Sequence, residues 1–191
     1  MTSHYSDIYR SWESDPESFW LNAAGSIDWI KPPSRAFDAE QGAYGRWFPD
    51  GVGNTCYNCV DRHADRGRPG QAAIIYDSPV TGTKRSISYS ELKQDVSALG
   101  AVLRNHGVEA GDRVVLYMPM VPEAVVAMLA CARIGAIHSV VFGGFAANEL
   151  AKRIDACQPK LIVSASCGIE PNRIVEYKPL LDEAIHLADH K

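Results

Sequence analysis

Two glycines between two phenylalanines, Phe142-Gly143-Gly144-Phe145, follow a short apolar run that is typical of a buried strand. At the carboxyl end of a parallel strand, glycines allow a ligand to approach the backbone, and phenylalanine rings can stack on an adenine. The same pair of glycines would also serve a tight strand-to-helix turn that needs a positive φ angle. The residues alone leave both interpretations open.

A second candidate segment, Gly168 to Arg173, follows the next apolar run. We expect it to be a loop at the carboxyl end of the neighbouring strand. Arg173 in such a loop could donate charge-assisted hydrogen bonds to a phosphate, or it could be a solvated surface arginine. Two ligand-competent segments on neighbouring strand ends favour a binding role for both.

Two other motifs favour structural interpretations. Cys56 and Cys59, followed by His63, have the spacing of a redox centre or of half a zinc site, but no second Cys or His pair follows. We therefore expect both thiols to fill the buried face of a helix over residues 55–66. The tetrapeptide 81–84 resembles part of a phosphate loop but joins two strands, so we expect a hairpin turn. The sequence thus predicts neither catalytic residues nor a metal site.

The elements that must position these residues alternate from about residue 71 onward. A hairpin over 72–76 and 85–89 is followed by a helix that Ser90 caps and that ends at Gly107. The pattern then predicts strands at 114–118, 138–142 and 161–165, with helices at 122–133, 147–157 and 180–188. Apolar strands alternating with helices indicate an α/β fold whose parallel sheet is covered by helices on both faces.

The first 70 residues differ in composition, since they contain all four tryptophans and little regular periodicity. We expect an irregular extension, apart from the 55–66 helix, that packs through aromatic side chains. The whole chain has 191 residues, 46% hydrophobic and 22% charged, with a net charge of −4. These values exclude long disorder and a basic nucleic-acid-binding surface.

The sequence also bears on where the protein is located. No apolar run approaches the ~20 residues that span a bilayer, and no secretory signal is apparent at the first residues. Five cysteines, an odd number, fit a reducing compartment better than a disulfide framework. We therefore expect a cytoplasmic protein with neither a membrane nor a nucleic acid as partner.

A series of ordered motifs resembles the N-terminal region of the short-chain acyl-CoA synthetases, which are AMP-forming enzymes of the adenylate-forming superfamily. The motifs lie at 47–51, 54–63, 111–114, 117–120, 132–136 and 139–145. The resemblance implies an N-terminal extension over 1–70 and the first, incomplete part of an AMP-binding domain over 71–191. It covers nearly the whole chain.

Within that family, residues 164–180 look like propionyl-CoA synthetase, since acetyl-CoA synthetases tend to carry an arginine where this chain has Glu170. The family's reaction first converts ATP and a carboxylate to an acyl-adenylate and pyrophosphate. The CoA thiolate then gives acyl-CoA and AMP. The alternatives are an acetyl- or other short-chain acyl-CoA synthetase, a non-catalytic CoA-binding module and, more remotely, a redox or zinc protein built on Cys56 and Cys59.

The resemblance also assigns a partial CoA site, which comprises Phe142, Gly143, Gly144, Glu170, Pro171, Asn172 and Arg173. The family's phosphate loop, magnesium-binding acidic residue and catalytic lysine are not among these 191 residues. We therefore expect the chain alone to be inactive and to hold ATP, magnesium or CoA at most weakly. Its expected partners are propionate, ATP, CoA and the rest of the ligase polypeptide, whereas the oligomeric state stays open.

Overall fold

Two helices open the described part of the chain, where the sequence predicted irregular structure. The computed structural model describes residues 4–191 and contains two compact units, one ending at Asn54 and the other running from Thr55 to Lys191. Helix α1 spans His4–Ser14 and α2 spans Pro16–Ala24. Asp15 caps α2 by accepting the backbone N–H of Ser18 at 3.0 Å, and Pro16 occupies the first turn. The aspartate cap and the proline explain locally why the second helix begins there.

Four short strands complete the first unit. Strands β1 (Trp29–Lys31) and β4 (Val52–Gly53) pair antiparallel, as do β2 (Phe37–Asp38) and β3 (Arg46–Trp47). Aromatic rings join these elements within the unit. Trp47 lies 5.2 Å from Trp20 and 5.0 Å from Phe37, and Trp29 lies 5.6 Å from Phe48, measured between ring centroids. The aromatic residues therefore pack on one another, as their large apolar areas favour.

The second unit begins with a helical stretch that contains a π turn. The π-helical segment spans Tyr57–Asp61, and a short helix, α3 (Arg62–Asp65), follows it directly. The chain then leaves the helix at Gly67, which has a φ of +101° that glycine adopts without strain. The predicted helix over 55–66 is confirmed in its extent, but its turn geometry differs from a regular α-helix.

The predicted hairpin is confirmed as strands β5 (Ala72–Ser78) and β6 (Thr83–Ser88), which pair antiparallel and are joined by a turn over 79–82. The 81–84 tetrapeptide thus lies half in this turn and half in β6. Helix α4 (Tyr89–Asn105) follows immediately. Its N-cap is Ser88 and not the predicted Ser90. The Ser88 hydroxyl accepts the Glu91 N–H at 3.3 Å, and the Glu91 carboxylate accepts the Ser88 N–H at 2.8 Å. This reciprocal capping box fixes the start of the helix two residues earlier than predicted.

The predicted parallel sheet is confirmed. It contains β7 (Arg113–Met118), β8 (Ile137–Phe142) and β9 (Leu161–Ser164) in the order β8–β7–β9. Helix α5 (Pro122–Ile134) connects β7 to β8, and α6 (Ala147–Cys157) connects β8 to β9. The prediction that the two candidate segments follow neighbouring strands is wrong, because β7 lies between β8 and β9. The two segments leave the carboxyl edge of the sheet on either side of β7.

A second hairpin follows the sheet in place of the predicted loop. Strands β10 (Cys167–Glu170) and β11 (Arg173–Glu176) pair antiparallel, and helix α7 (Tyr177–Leu187) begins at the next residue. The opposing residues run from Cys167 opposite Glu176 to Glu170 opposite Arg173. The helix therefore starts three residues before the position predicted from the sequence.

The central strand β7 supplies both faces of the core. Val114 and Leu116 pack with residues of α4 and α5, whereas Val115 and Tyr117 pack with residues of α6 and α7. All four side chains are almost fully buried, as the lack of alternation in this strand predicts. Within residues 4–191, no helix combines the length and apolar character that a membrane crossing requires.

Candidate functional site

The glycine turn after β8 has a structural explanation at both of its glycines. Gly144 has a φ of +92°, which favours glycine at that position. Gly143 is needed for space, since a Cβ there would lie 2.8 Å from the carbonyl oxygen of Met118 and 2.9 Å from Cζ of Tyr177. The tight-turn interpretation is therefore confirmed, by a positive φ at Gly144 and by close packing at Gly143.

The two phenylalanines of this turn differ in how open their rings are. The Phe142 side chain is 67% exposed, whereas Phe145 is half-buried. Their ring centroids are 5.7 Å apart, and the guanidinium carbon of Arg153 lies 5.3 Å from the Phe145 centroid. Phe142 is thus the ring that a flat ligand could cover, since Arg153 already occupies a face of Phe145.

A buried tyrosine anchors the turn from beneath. The Tyr117 hydroxyl donates a hydrogen bond of 2.9 Å to the carbonyl oxygen of Phe145. Burial raises the pKa of Tyr117, so the phenol keeps its proton at neutral pH and remains a donor. The backbone of the turn is therefore held to the central strand.

The second candidate segment forms the tip of the β10–β11 hairpin. Glu170 and Arg173 are the last pair of opposing residues, so Pro171 and Asn172 form a two-residue turn between them. All four side chains are exposed. The sequence prediction of a loop is wrong here, because cross-strand pairs such as Ile169 with Ile174 allow the chain to fold back on itself.

Arg173 carries a partner that the sequence analysis did not anticipate. Its Nε donates to a carboxylate oxygen of Glu170 at 2.8 Å, and the side chains are 70% and 49% exposed, respectively. The hydrogen bond from Arg173 to Glu170 raises the pKa of the guanidinium, which stays charged at any ordinary pH. Arg173 therefore presents a cation to solvent, although an incoming anion must compete with the Glu170 carboxylate.

Tyr177 links the two segments, and sequence reasoning missed it. It is the first residue of α7, it is 4% exposed, and its ring centroid lies 4.9 Å from that of Tyr117. Both Gly143 in the turn and Gly168 in the hairpin lie against its ring. The only sequence signal was indirect, namely two glycines on separate segments that require a bulky neighbour.

The site therefore brings the two predicted segments to the same edge of the sheet and joins them at their bases. Ligands bind at this edge in open α/β sheets, because connections that leave to opposite faces create a crevice there. An exposed aromatic ring and an exposed cation suit a ligand with a flat base and a phosphate. Among residues 4–191, no group of three or more His, Cys, Asp or Glu side chains is placed to hold a metal ion.

The expectation for the two cysteines of the 55–66 helix is half wrong. Cys56 is fully buried, and burial raises the pKa of its thiol, whereas Cys59 is exposed. The π turn explains the difference, because it contains more residues than an α-helical turn, so the third residue after Cys56 does not return to the buried side. The two thiols do not share a face.

Asp61, in the same segment, is a buried carboxylate that the sequence analysis overlooked. It accepts a hydrogen bond of 2.6 Å from Nη2 of Arg133 in α5, and Nζ of Lys93 in α4 lies 3.8 Å away. These charges join the π-helical segment to the two helices on that face of the sheet. Their role is structural, since a buried carboxylate needs such partners.

Comparison with known families shows which family the chain belongs to. The family model for AMP-binding enzymes matches residues 60–189, and the model for the acetyl-coenzyme A synthetase N-terminus matches residues 5–59. The chain belongs to the AMP-binding enzyme family. The resemblance predicted from the motifs is thereby confirmed, and the three-stranded sheet with its hairpin is part of an AMP-binding domain.

Relatives of the chain include members of two named groups. It is 52% identical over 187 residues to a Bos taurus protein named acyl-CoA synthetase short-chain family member 3, mitochondrial. It is 46% identical over 187 residues to a propionate–CoA ligase of Salmonella typhimurium. These alignments cover 98% of the chain but 27% and 30% of the relatives, respectively. The chain thus spans less than a third of the length of these proteins.

Proposed function

We propose that the chain contributes part of the CoA site of an AMP-forming acid–CoA ligase that converts propionate, ATP and CoA to propionyl-CoA, AMP and pyrophosphate. The observation that carries this proposal is the pairing of an exposed aromatic ring, Phe142, with an exposed cation, Arg173, on segments that follow β8 and β9. CoA contains an adenine that can stack on such a ring and phosphates that bind a guanidinium.

Roles within the proposed site differ from residue to residue. Phe142 would offer a face to the adenine, and Arg173 would donate to a phosphate oxygen. Gly143 and Gly144 would allow the ligand to pass close to the backbone, while Pro171 and Asn172 set the turn that presents Arg173. Glu170 would orient the guanidinium and oppose the approach of the phosphate.

Propionate as the acyl substrate is the finer part of the proposal. The similarity to a propionate–CoA ligase supports it, as does Glu170 at a position where acetyl-CoA synthetases tend to carry arginine. The acyl pocket, the ATP and magnesium sites and the catalytic lysine would come from parts of the protein outside these residues. Propionate-dependent release of pyrophosphate should accordingly be absent from the chain alone.

A titration of the ¹⁵N-labelled chain with CoA, followed by NMR, tests the proposed site even when binding is weak. Amide signals of residues 142–145 and 168–174 should shift together. Arg173→Ala should weaken the apparent Kd about tenfold, since it removes a charge-assisted contact to phosphate.

The matched control is Arg104→Ala, which removes an exposed arginine from the last turn of α4 and should leave the titration unchanged. Equal weakening by both variants would mean that CoA senses only the net charge of the protein. No shift at either segment at millimolar CoA would contradict the proposed site.

A further inference from the structure

Tyr177 occupies the junction between the sheet, the glycine turn and the second hairpin. Its side chain is 4% exposed and belongs to the core formed by β7, α6 and α7. Its backbone N–H donates a hydrogen bond of 2.9 Å to the carbonyl oxygen of Ser166, which immediately precedes β10. The ring of Tyr177 thus packs in the core, while its backbone N–H holds the residue that leads into β10.

Two glycines make room for the Tyr177 ring. A Cβ on Gly168 would lie 2.8 Å from Cζ and 3.1 Å from Cε1 of Tyr177, and nearer still to its hydroxyl oxygen. A Cβ on Gly143 would lie 2.9 Å from the same Cζ. Real Cβ atoms essentially never approach another heavy atom below 3.0 Å. Space, and not a positive φ, therefore requires glycine at both positions.

The hairpin needs such an attachment. Strands β10 and β11 form a two-stranded sheet of their own, separate from the parallel sheet. Ile169 and Ile174, which face each other across it, are 55% and 66% exposed, so they bury little apolar area. A two-stranded hairpin is marginally stable in water unless it packs on something else. Gly168 is where this hairpin meets a buried ring.

We propose that Tyr177 is a positioning residue for the CoA site, because its ring holds the glycine turn and the β10–β11 hairpin in one fixed geometry. This inference rests on the proposed function. It assigns CoA affinity partly to a residue that touches no ligand, since pre-organisation lets Phe142 and Arg173 meet the nucleotide together.

The first test compares two substitutions of the same ring. Tyr177→Leu removes the aromatic ring that lies against Gly143 and Gly168. It should weaken CoA binding about fivefold or more, since small displacements of binding groups lower affinity strongly. Tyr177→Phe retains the ring atoms that lie against both glycines and should restore affinity to within about twofold. Tyr76→Leu, in the β5–β6 hairpin, is the matched control and should leave CoA binding unchanged.

A second arm uses Gly168→Ala, for which the nearest atoms around the new methyl group all belong to Tyr177. In the parent protein this substitution should weaken CoA binding about fivefold, because the methyl group forces the ring and the hairpin apart. In a Tyr177→Leu background it should add no further loss. That non-additivity is specific to the contact, whereas two unrelated defects would add.

Hydrogen exchange separates this inference from the proposed function. Tyr177→Leu should speed exchange at amides of both 143–145 and 167–176, with or without CoA. If Arg173→Ala weakens CoA binding but Tyr177→Leu leaves both affinity and exchange as in the parent protein, the positioning role is refuted. If CoA shifts no signal while exchange rises at both segments, the proposed CoA site fails but the coupling through Tyr177 stands.

Discussion

Removing the positive charge of Arg133 should destabilise the second unit far more than removing a surface lysine. The guanidinium lies 2.6 Å from the Asp61 carboxylate, and the two side chains are 25% and 10% exposed, respectively. Arg133→Met is the informative substitution, because the unbranched methionine side chain places its sulfur where Cδ of Arg133 lies, 3.6 Å from the Cβ position of Gly100. The change therefore removes a charge with little loss of packing.

The magnitude follows from burial and from the second cation. Breaking a buried ion pair by deleting one partner costs about 3–5 kcal/mol, because the remaining charge is left without compensation. Lys93 remains 3.8 Å from Asp61 and compensates part of that charge. We therefore expect the free energy of unfolding to fall by about 2–3 kcal/mol, or the Tm by roughly 5–10 °C for a chain of this size.

A double-mutant cycle with Asp61→Asn measures the interaction directly. Urea unfolding followed by circular dichroism is the appropriate assay, because all four tryptophans lie before residue 55 and report on the first unit. The cycle should give a coupling energy of about 2 kcal/mol that persists in 0.5 M salt. The exposed pair between Lys84 and Asp77, on the β5–β6 hairpin, is the matched control and should give ~0.5 kcal/mol or less.

A coupling energy for Asp61 and Arg133 no larger than that of the control would refute the reasoning. It would mean that water solvates the carboxylate in place of the two cations. Loss of the coupling in salt would point the same way, since salt screens exposed charges much more than buried ones.

Two further predictions concern the candidate site and the thiols. Glu170→Gln should tighten CoA binding about twofold to fivefold at low salt, since it removes a competitor for Arg173 and a charge that repels phosphate. The control, Glu149→Gln on α6, should leave CoA binding unchanged. Weaker CoA binding by the Glu170 variant would contradict the proposed role of Glu170. Iodoacetamide at pH 8 should modify exposed Cys59 quickly and spare Cys131, whose pKa burial raises to about 11, so that its thiolate becomes abundant only above that pH. Mass spectrometry of the timed reaction checks this, with Cys59→Ser as control, and early labelling of Cys131 would show that its burial is incomplete.

Elements with strong local signals could be predicted from the sequence. Helix α6 has the predicted bounds, and α5 extends one residue past its predicted end, to Ile134. The N-cap of α4 was misplaced because Ser88 and Ser90 are both plausible caps, and only Ser88 has Glu91 three residues later. Where two residues compete as N-cap, the reciprocal hydrogen bonds of the capping box determine which one begins the helix.

Elements whose stability comes from non-local contacts could not be predicted in the same way. The β10–β11 hairpin has strands of four residues, and glycine in the first strand gives that strand little intrinsic preference for extended structure. The Glu170–Arg173 ion pair becomes evident only once the hairpin register places the two residues opposite each other. Cys59 was assigned to the wrong face because a regular α-helical period does not describe a π turn.

Glycines drew attention to the candidate site, but they cannot carry its functional assignment. Gly144 is explained by its positive φ and Gly143 by the buried ring of Tyr177, so both would be needed in a protein that bound nothing there. The structural contacts of Phe142 and Arg173 are weaker, since the Phe142 ring is 67% exposed and the ion pair of Arg173 with Glu170 lies at the surface. Exposed groups with weak structural contacts are the better indicators of binding. Phe142→Ala and Arg173→Ala therefore test the CoA site, whereas glycine variants test only the scaffold that carries it.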